Sequence, residues 1–392
     1  MLLAALGIPT VALAQVVSAP AAAQDPTAQL VARLDLEQYK ATIKGLTQFG
    51  DRRQGTDRKR AAVNWIEVQL RSYGCADVAR LKYDYQPPPP RPRTEGAGPA
   101  RVTSRASGGG HYRGVRARTG VNNDSLQQPD ARLRALDAQA STPGAREEVY
   151  CTKVGSVHPG EMYIVGAHMD GIGWGEAAND DGSGTALVMQ LARIFSGPDV
   201  RTDRSIRFIL WNNEETGLNG SRAYVEQRQA LQGKEDPPGS GRYPEPTWLG
   251  MIQHDMMLFD HGMPRGDGTL SPEQRPEADV NIEFQASAQF AAQAQQLAWT
   301  FQAANEKYAT DYPASVGAHM TNTDSAPFQD LVAAISLREN ERGAHIGAGW
   351  DPNWHQPTDL YSTYSDKDFR LGLNAAQTTL AALTGLVGTT IK

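Results

Sequence analysis

The amino-acid sequence predicts an α/β fold, a three-layer α/β/α sandwich around a mostly parallel, mixed central sheet. Two observations carry that expectation. From residue 147 onward, short apolar runs of strand character alternate with longer stretches of helical periodicity. That order builds a mostly parallel sheet covered on both faces. One run, SIRFILWNN at 205–213, is near-continuously apolar, as expected of a strand buried on both sides. The chain has 392 residues, 40% hydrophobic and 21% charged. This globular composition excludes collagen, a coiled coil and a wholly disordered chain.

The elements follow in order. Residues 1–23 form an apolar stretch too short and too interrupted by Pro9 and Gln15 to span a bilayer. With small residues at Ala21 and Ala23, they read as a signal peptide, although the usual basic start is missing. A disordered apolar extension is the alternative. Residues 28–74 read as helical. Ala62, Trp65, Ile66, Leu70 and Tyr73 recur at three- to four-residue spacing, and Gly74 suits the stop. Residues 78–85 alternate as a strand, ended by Pro87 to Pro90. The segment 86–146, rich in Pro, Gly, Arg, Ser and Gln, reads as a surface insertion, partly disordered, with a helical turn near 130–138. Its basic cluster (Arg91, Arg93, Arg101, Arg105, Arg113, Arg116, Arg118) reads as a solvated loop rather than a polyanion site.

Strands are expected at 147–154, 162–168, 205–213, 248–256 and 331–339, and helices at 183–195, 222–231, 287–307 and 365–386. A Gly/Pro/Asp-rich loop fills 259–280, and Ser365 with Asp368 suits the start of the last helix. Residues 28–388 thus form a single domain carrying the 86–146 insertion.

A net charge of −6 offers no bulk attraction to nucleic acid or anionic lipid, and no later segment suits stable membrane insertion. An exported protein, periplasmic or secreted, follows from the leader. Cys75 and Cys151 are too few for a thiolate cluster. They either pair across the insertion in an oxidising compartment or stay as two separate buried thiols.

Chemistry-bearing residues gather where apolar strands stop. His168 and Asp170 end one strand; Asn179-Asp180-Asp181 precedes Gly182-Ser183-Gly184 and a helix; Glu214-Glu215 and Asp255 end two more; His355 lies in a loop. Each motif alone is weak, since H-x-D is commonly structural and E-E is commonly a solvated pair. Jointly, at the carboxyl ends of strands in an open α/β sheet, they converge on one rim. Imidazoles and carboxylates without thiolate suit zinc or a similar divalent ion.

The set VGAHMD (165–170), AANDDGSGTA (177–186), FILWNNEETGLNGSRAY (208–224), QHDM (253–256) and WHQPTD (354–359) resembles the M28 metallopeptidases, co-catalytic zinc aminopeptidases. LTQFGDRRQGT (46–56) resembles the family's opening. The resemblance implies the zinc-exopeptidase type of sheet and two zinc ions per chain. It places one on His168, Asp180 and Asp255 and the other on Asp180, Glu215 and His355, with Asp180 bridging. It implies that the Asp170 carboxylate bonds the second ring nitrogen of His168 and that Glu214 is the general base on peptide substrates. Two divalent ions roughly 3.5–4 Å apart need such anionic ligands between and around them. For Glu215 to face the metals while Glu214 faces substrate, the backbone must bend, and Thr216-Gly217 offers a place. Ser325, in TDSAPF (323–328), stands where many members carry His. His111, His158, His254, His261, His319 and His345 have no assigned role, His254 reading as a packed neighbour.

The function expected is an exported aminopeptidase. A mono-zinc glutaminyl cyclase-like transferase, a carboxypeptidase and a metal-free receptor-like ectodomain are the alternatives. Neither substrate side chain nor oligomeric state follows from the sequence.

Overall fold

The computed structural model describes residues 25–87, 121–259, 280–320, 322–339 and 351–392. The expected leader at 1–23, the arginine cluster at 91–118, nearly all of the 259–280 loop, and His111, His261 and His345 lie outside these residues.

The stretch read as helical is three helices, Pro26–Val31 (α1), Leu36–Thr47 (α2) and Asp57–Ser72 (α3). Asp25, Asp35 and Thr56 divide it, because each side chain accepts main-chain N–H groups that the first turn leaves unpaired. Then come β1 (Asp77–Tyr85), α4 (Ala131–Asp137), β2 (Gly144–Lys153), β3 (His158–His168), α5 (Gly182–Phe195), β4 (Val200–Thr202), β5 (Arg204–Trp211) and α6 (Asn219–Arg228). The chain continues through β6 (Thr247–His254), β7 (Val280–Phe284), α7 (Ala291–Tyr308), β8 (Ala314–Gly317), β9 (Ala334–Arg338), α8 (Asp366–Leu386) and β10 (Thr389–Ile391).

Eight strands make one mixed sheet in the order β1-β2-β5-β3-β6-β9-β7-β8. Its middle four, β5, β3, β6 and β9, are parallel; β2 and β7 flank them antiparallel. After β3 the chain crosses to one side to lay down β5, then to the other to lay down β6. The carboxyl end of β3 is therefore a topological switch point, where α/β sheets open a crevice.

Alternation along the strands divides the core. Val165, Phe208 and Leu210 face a large apolar cluster shared with α1, α2, α3, α5, α7 and α8. Ile164, Ile209 and Trp211 face a smaller one, under Tyr224 of α6 and Phe328. Both faces are covered, unequally.

Part of the segment read as a surface insertion is ordered structure against the body. β2 already begins at Gly144, and residues 121–143 pack on the body: Asp137 pairs with Arg58 (3.0 Å), and Gln128 is 1% exposed. Cys75 and Cys151 form a disulfide with Cα atoms 6.2 Å apart, fastening the turn after α3 to β2.

Candidate metal centre

His168, Asp170, Glu214, Glu215 and Asp255 leave the ends of parallel strands or the turns that follow them, while Asp180 and His355 come from the loops before α5 and α8. His168 is the last residue of β3, and Asp255 directly follows β6. Asp180 precedes α5, whose first turn is capped by Asp181 through the N–H of Gly184 (2.8 Å). The Asp180–Asp181 peptide bond is cis. Glu214 and Glu215 follow β5 after Asn213, which lies in the left-handed region (φ 66°). The bend expected at Thr216-Gly217 thus starts earlier, at Asn213, a residue type that tolerates this region. His355 comes from the loop before α8, also with positive φ (56°).

These residues meet on Asp180. Its Oδ1 lies 3.2 Å from His168 Nε2, and its Oδ2 lies 2.9 Å from His355 Nε2. Asp255 Oδ1 is 3.8 Å from His168 Nε2, and Glu215 Oε2 is 2.8 Å from His355 Nε2. The ligand atoms of His168, Asp180 and Asp255 lie within 4.8 Å of one another, as do those of Asp180, Glu215 and His355. The two triads share Asp180, one oxygen to each.

Charge is concentrated here. Burial opposes ionisation of both imidazoles, but the surrounding acids win: the His168 ring is held well above its ordinary value, and that of His355 rises to about 10. Burial also opposes ionisation of Asp180 and Asp255. Bonds from both imidazoles hold Asp180 low, and Arg338 holds Asp255 low. Glu215 is pushed up to about 7, and Glu214 well above the carboxylate range, chiefly by burial. A pocket so rich in buried carboxylate holds its imidazoles protonated until a cation replaces those protons. Among the described residues, Glu215 Oε1 is buried without a hydrogen-bond donor. Two imidazole nitrogens and three carboxylates, one of them bridging, fit a pair of divalent ions as zinc ligands.

Asp170 is arranged differently from the expectation. His168 Nδ1 faces the Asp170 main-chain carbonyl at 2.9 Å, while the carboxylate Oδ1 is 4.0 Å away. That oxygen instead accepts the main-chain N–H of Glu214 at 3.1 Å. The turn after β3 brings the carbonyl under the ring first, so one residue braces both His168 and the Glu214 backbone.

Three supporting residues escaped the sequence reading. Arg338, at the end of β9, pairs with Asp255 Oδ2 and leaves Oδ1 toward His168. Asp359 accepts the N–H groups of Asn179 (2.8 Å) and Asp180 (3.1 Å), tying the His355 loop to the bridging residue. Gln128 Nε2 donates to the carbonyls of Trp174 (2.6 Å) and Pro357 (3.0 Å), so the insertion braces the rim. Asp359 closes the motif WHQPTD and was within reach; the other two carry no local signal. His254 is a packed neighbour, with Nε2 2.8 Å from Thr379 Oγ1. Ser325 Oγ meets Ser336 Oγ at 2.7 Å beside Asp324, which accepts from Ser221 Oγ at 2.6 Å.

The sheet, its switch point and the donor set define a three-layer α/β protein with a candidate metal centre at the carboxyl ends of its parallel strands. A model of peptidase family M28 matches residues 149–378, and the chain belongs to that family. It is 28% identical over 251 residues to a probable lipoprotein aminopeptidase of Mycobacterium tuberculosis, covering 62% of this chain and 45% of that protein. The chain thus spans about half the length of this curated relative. Its fold is similar to that of a zinc aminopeptidase of Bacillus subtilis, with TM-score 0.59 and 16% identity over 90% of this chain and 95% of the other. It is also similar to that of a glutaminyl cyclase of Porphyromonas gingivalis, with TM-score 0.55 and 15% identity over 90% and 99%.

Proposed function

We propose that this protein is an exported di-zinc aminopeptidase. His168, Asp180 and Asp255 would hold one zinc, and Asp180, Glu215 and His355 would hold the other. The observation that carries this reading is the shared Asp180, one oxygen facing each imidazole. When bound, such a metal pair acidifies a water and polarises the scissile carbonyl. Glu214 accepts the proton of the attacking water and passes it to the leaving amine. Glu214 belongs to neither triad, which supports a role in proton transfer rather than as a metal ligand. Asp170 holds the Glu214 main chain and, through its carbonyl, the proton-bearing face of His168, which fixes the tautomer that leaves Nε2 for metal.

The fold does not separate this reading from a cyclase; the two complete triads favour two ions and hydrolysis. A panel of aminoacyl chromogenic substrates with N-blocked controls, run with and without chelator, tests it. Free-amine substrates should be cleaved and N-blocked ones spared. Chelation should abolish turnover, and zinc or cobalt should restore it, because imidazole–carboxylate sites accept several divalent ions. Ammonia release from an N-terminal Gln peptide at one zinc per chain would favour the cyclase. Cleavage of N-blocked peptides at the carboxyl end would favour a carboxypeptidase.

A further inference from the structure

Arg52 belongs to no triad, yet its side chain reaches the backbone that connects them. It is fully buried, and among the described residues its hydrogen bonds go to main-chain carbonyls only. Nε donates to Met169 O (3.0 Å), Nη1 to Gly50 O (3.2 Å) and Glu176 O (2.8 Å), and Nη2 to Ala177 O (2.7 Å). A buried guanidinium ordinarily pairs with an acid. Here the planar fork grips both ends of residues 169–177, the loop running from His168 toward Asp180.

That loop needs holding. Trp174 (φ 70°) and Ala177 (φ 48°) are non-glycine residues in the left-handed region, a conformation that persists where surrounding contacts impose it. Residues beside Arg52 also approach it. The Arg53 guanidinium sits 5.7 Å from the Trp174 ring centre. A side chain on Gly171 would meet Ala177 Cβ at 2.5 Å and the carbonyl oxygens of Asp51 and Asp180, both at 2.9 Å. Asp51 is anchored in turn by Arg58 at 2.5 Å, so the grip is tied to α3.

We propose that Arg52 is a positioning residue that sets the placement of Asp180 relative to His168, and through it the affinity of the metal pair. This inference rests on the two-metal reading above. Outer partners that orient metal ligands are typically worth about 10–100-fold in metal affinity. The amine of Lys at position 52 is a point donor and cannot span carbonyls on both ends of the loop, so a conserved charge alone does not substitute.

The test measures zinc affinity by competition with a chromophoric chelator, and the ligand-field spectrum of the cobalt-loaded protein. Subjects are the wild type, Arg52→Lys, Arg52→Met and Gly171→Ala, each checked for folding by circular dichroism. Gly171→Ala keeps the arginine but crowds the loop against Ala177, Asp51 and Asp180, so it disturbs the loop that Arg52 holds without replacing Arg52. Folded variants should bind zinc about 10–100-fold more weakly and show an altered cobalt spectrum. Wild-type zinc affinity and spectrum in folded Arg52→Lys or Gly171→Ala protein overturn the proposal, even where thermal stability falls. A wild type that binds fewer than two equivalents would instead overturn the two-metal reading.

Discussion

At the scale of single residues, the centre is a problem of like charge solved by position. Glu214 and Glu215 are adjacent and follow the left-handed Asn213, yet of the two only Glu215 pairs with His355 and joins a triad. Glu214→Gln should therefore retain both metals and lose about 10²–10⁴-fold in turnover, the usual weight of general base catalysis. Glu215→Gln should lose metal, because it removes an anionic ligand. Metal content and kcat measured on the two variants check the assignment, and the opposite pattern would reverse it. The raised imidazoles give a second prediction. With the His355 ring protonated up to about 10 and the His168 ring well above its ordinary value in metal-free protein, zinc binding at pH 7 must displace protons. Affinity should fall as pH drops, since protons compete for the same nitrogens. Calorimetry in buffers of different ionisation enthalpy should record net proton release; a buffer-independent heat would count against it.

At the scale of elements, strand ends carry the chemistry, and strand ends are where sequence patterns are least exact. The apolar runs at 205–213 and 248–256 stop at Trp211 and His254 in the structure, which leaves Glu214, Glu215 and Asp255 in turns that can aim them. β7 and β8 escaped the reading because they are short, and because β7 places Asn281 and Glu283 in buried positions, where polar side chains mask the strand pattern. The closing helix was legible from its start: the Ser365 N–H donates to Asp368 Oδ2 at 2.6 Å. The disulfide joins elements 76 residues apart in sequence. Constraining so long a loop in the unfolded chain is worth about 4.5 kcal/mol in the chain-entropy model. Replacing both cysteines by serine should lower the denaturant midpoint by a corresponding amount, and unreduced, unfolded protein should present no alkylatable thiol.

At the scale of the whole molecule, the unequal covering of the sheet has a clear origin. Six helices share the cluster on one face, while α6 and the turn at Phe328 serve the other. Segment 121–143 then closes over the rim through Gln128 and Asn122, whose N–H donates to the His355 carbonyl at 3.0 Å. The described part of the insertion is thus part of the frame around the centre. The leader proposed at 1–23 predicts that mature protein recovered from the envelope or medium begins near Gln24. N-terminal sequencing from the native host checks this, and an intact Met1 would contradict it.

The central strands β2, β3, β5, β6 and β9, the helices α5 to α8 between and after them, the motifs near the strand ends and the family resemblance were legible in the sequence, because periodicity and motif spacing are local properties of the chain. Only the tertiary structure decided which atoms face which. The division of Asp180 between two imidazoles, the carbonyl rather than the carboxylate of Asp170 beneath His168, and the supports supplied by Arg338, Asp359 and Arg52 all join residues from separate segments. Such contacts follow from how sheet order and turns bring distant segments together. A side chain like Arg52, separated from Met169 by 117 positions, leaves no local pattern from which its partners can be read.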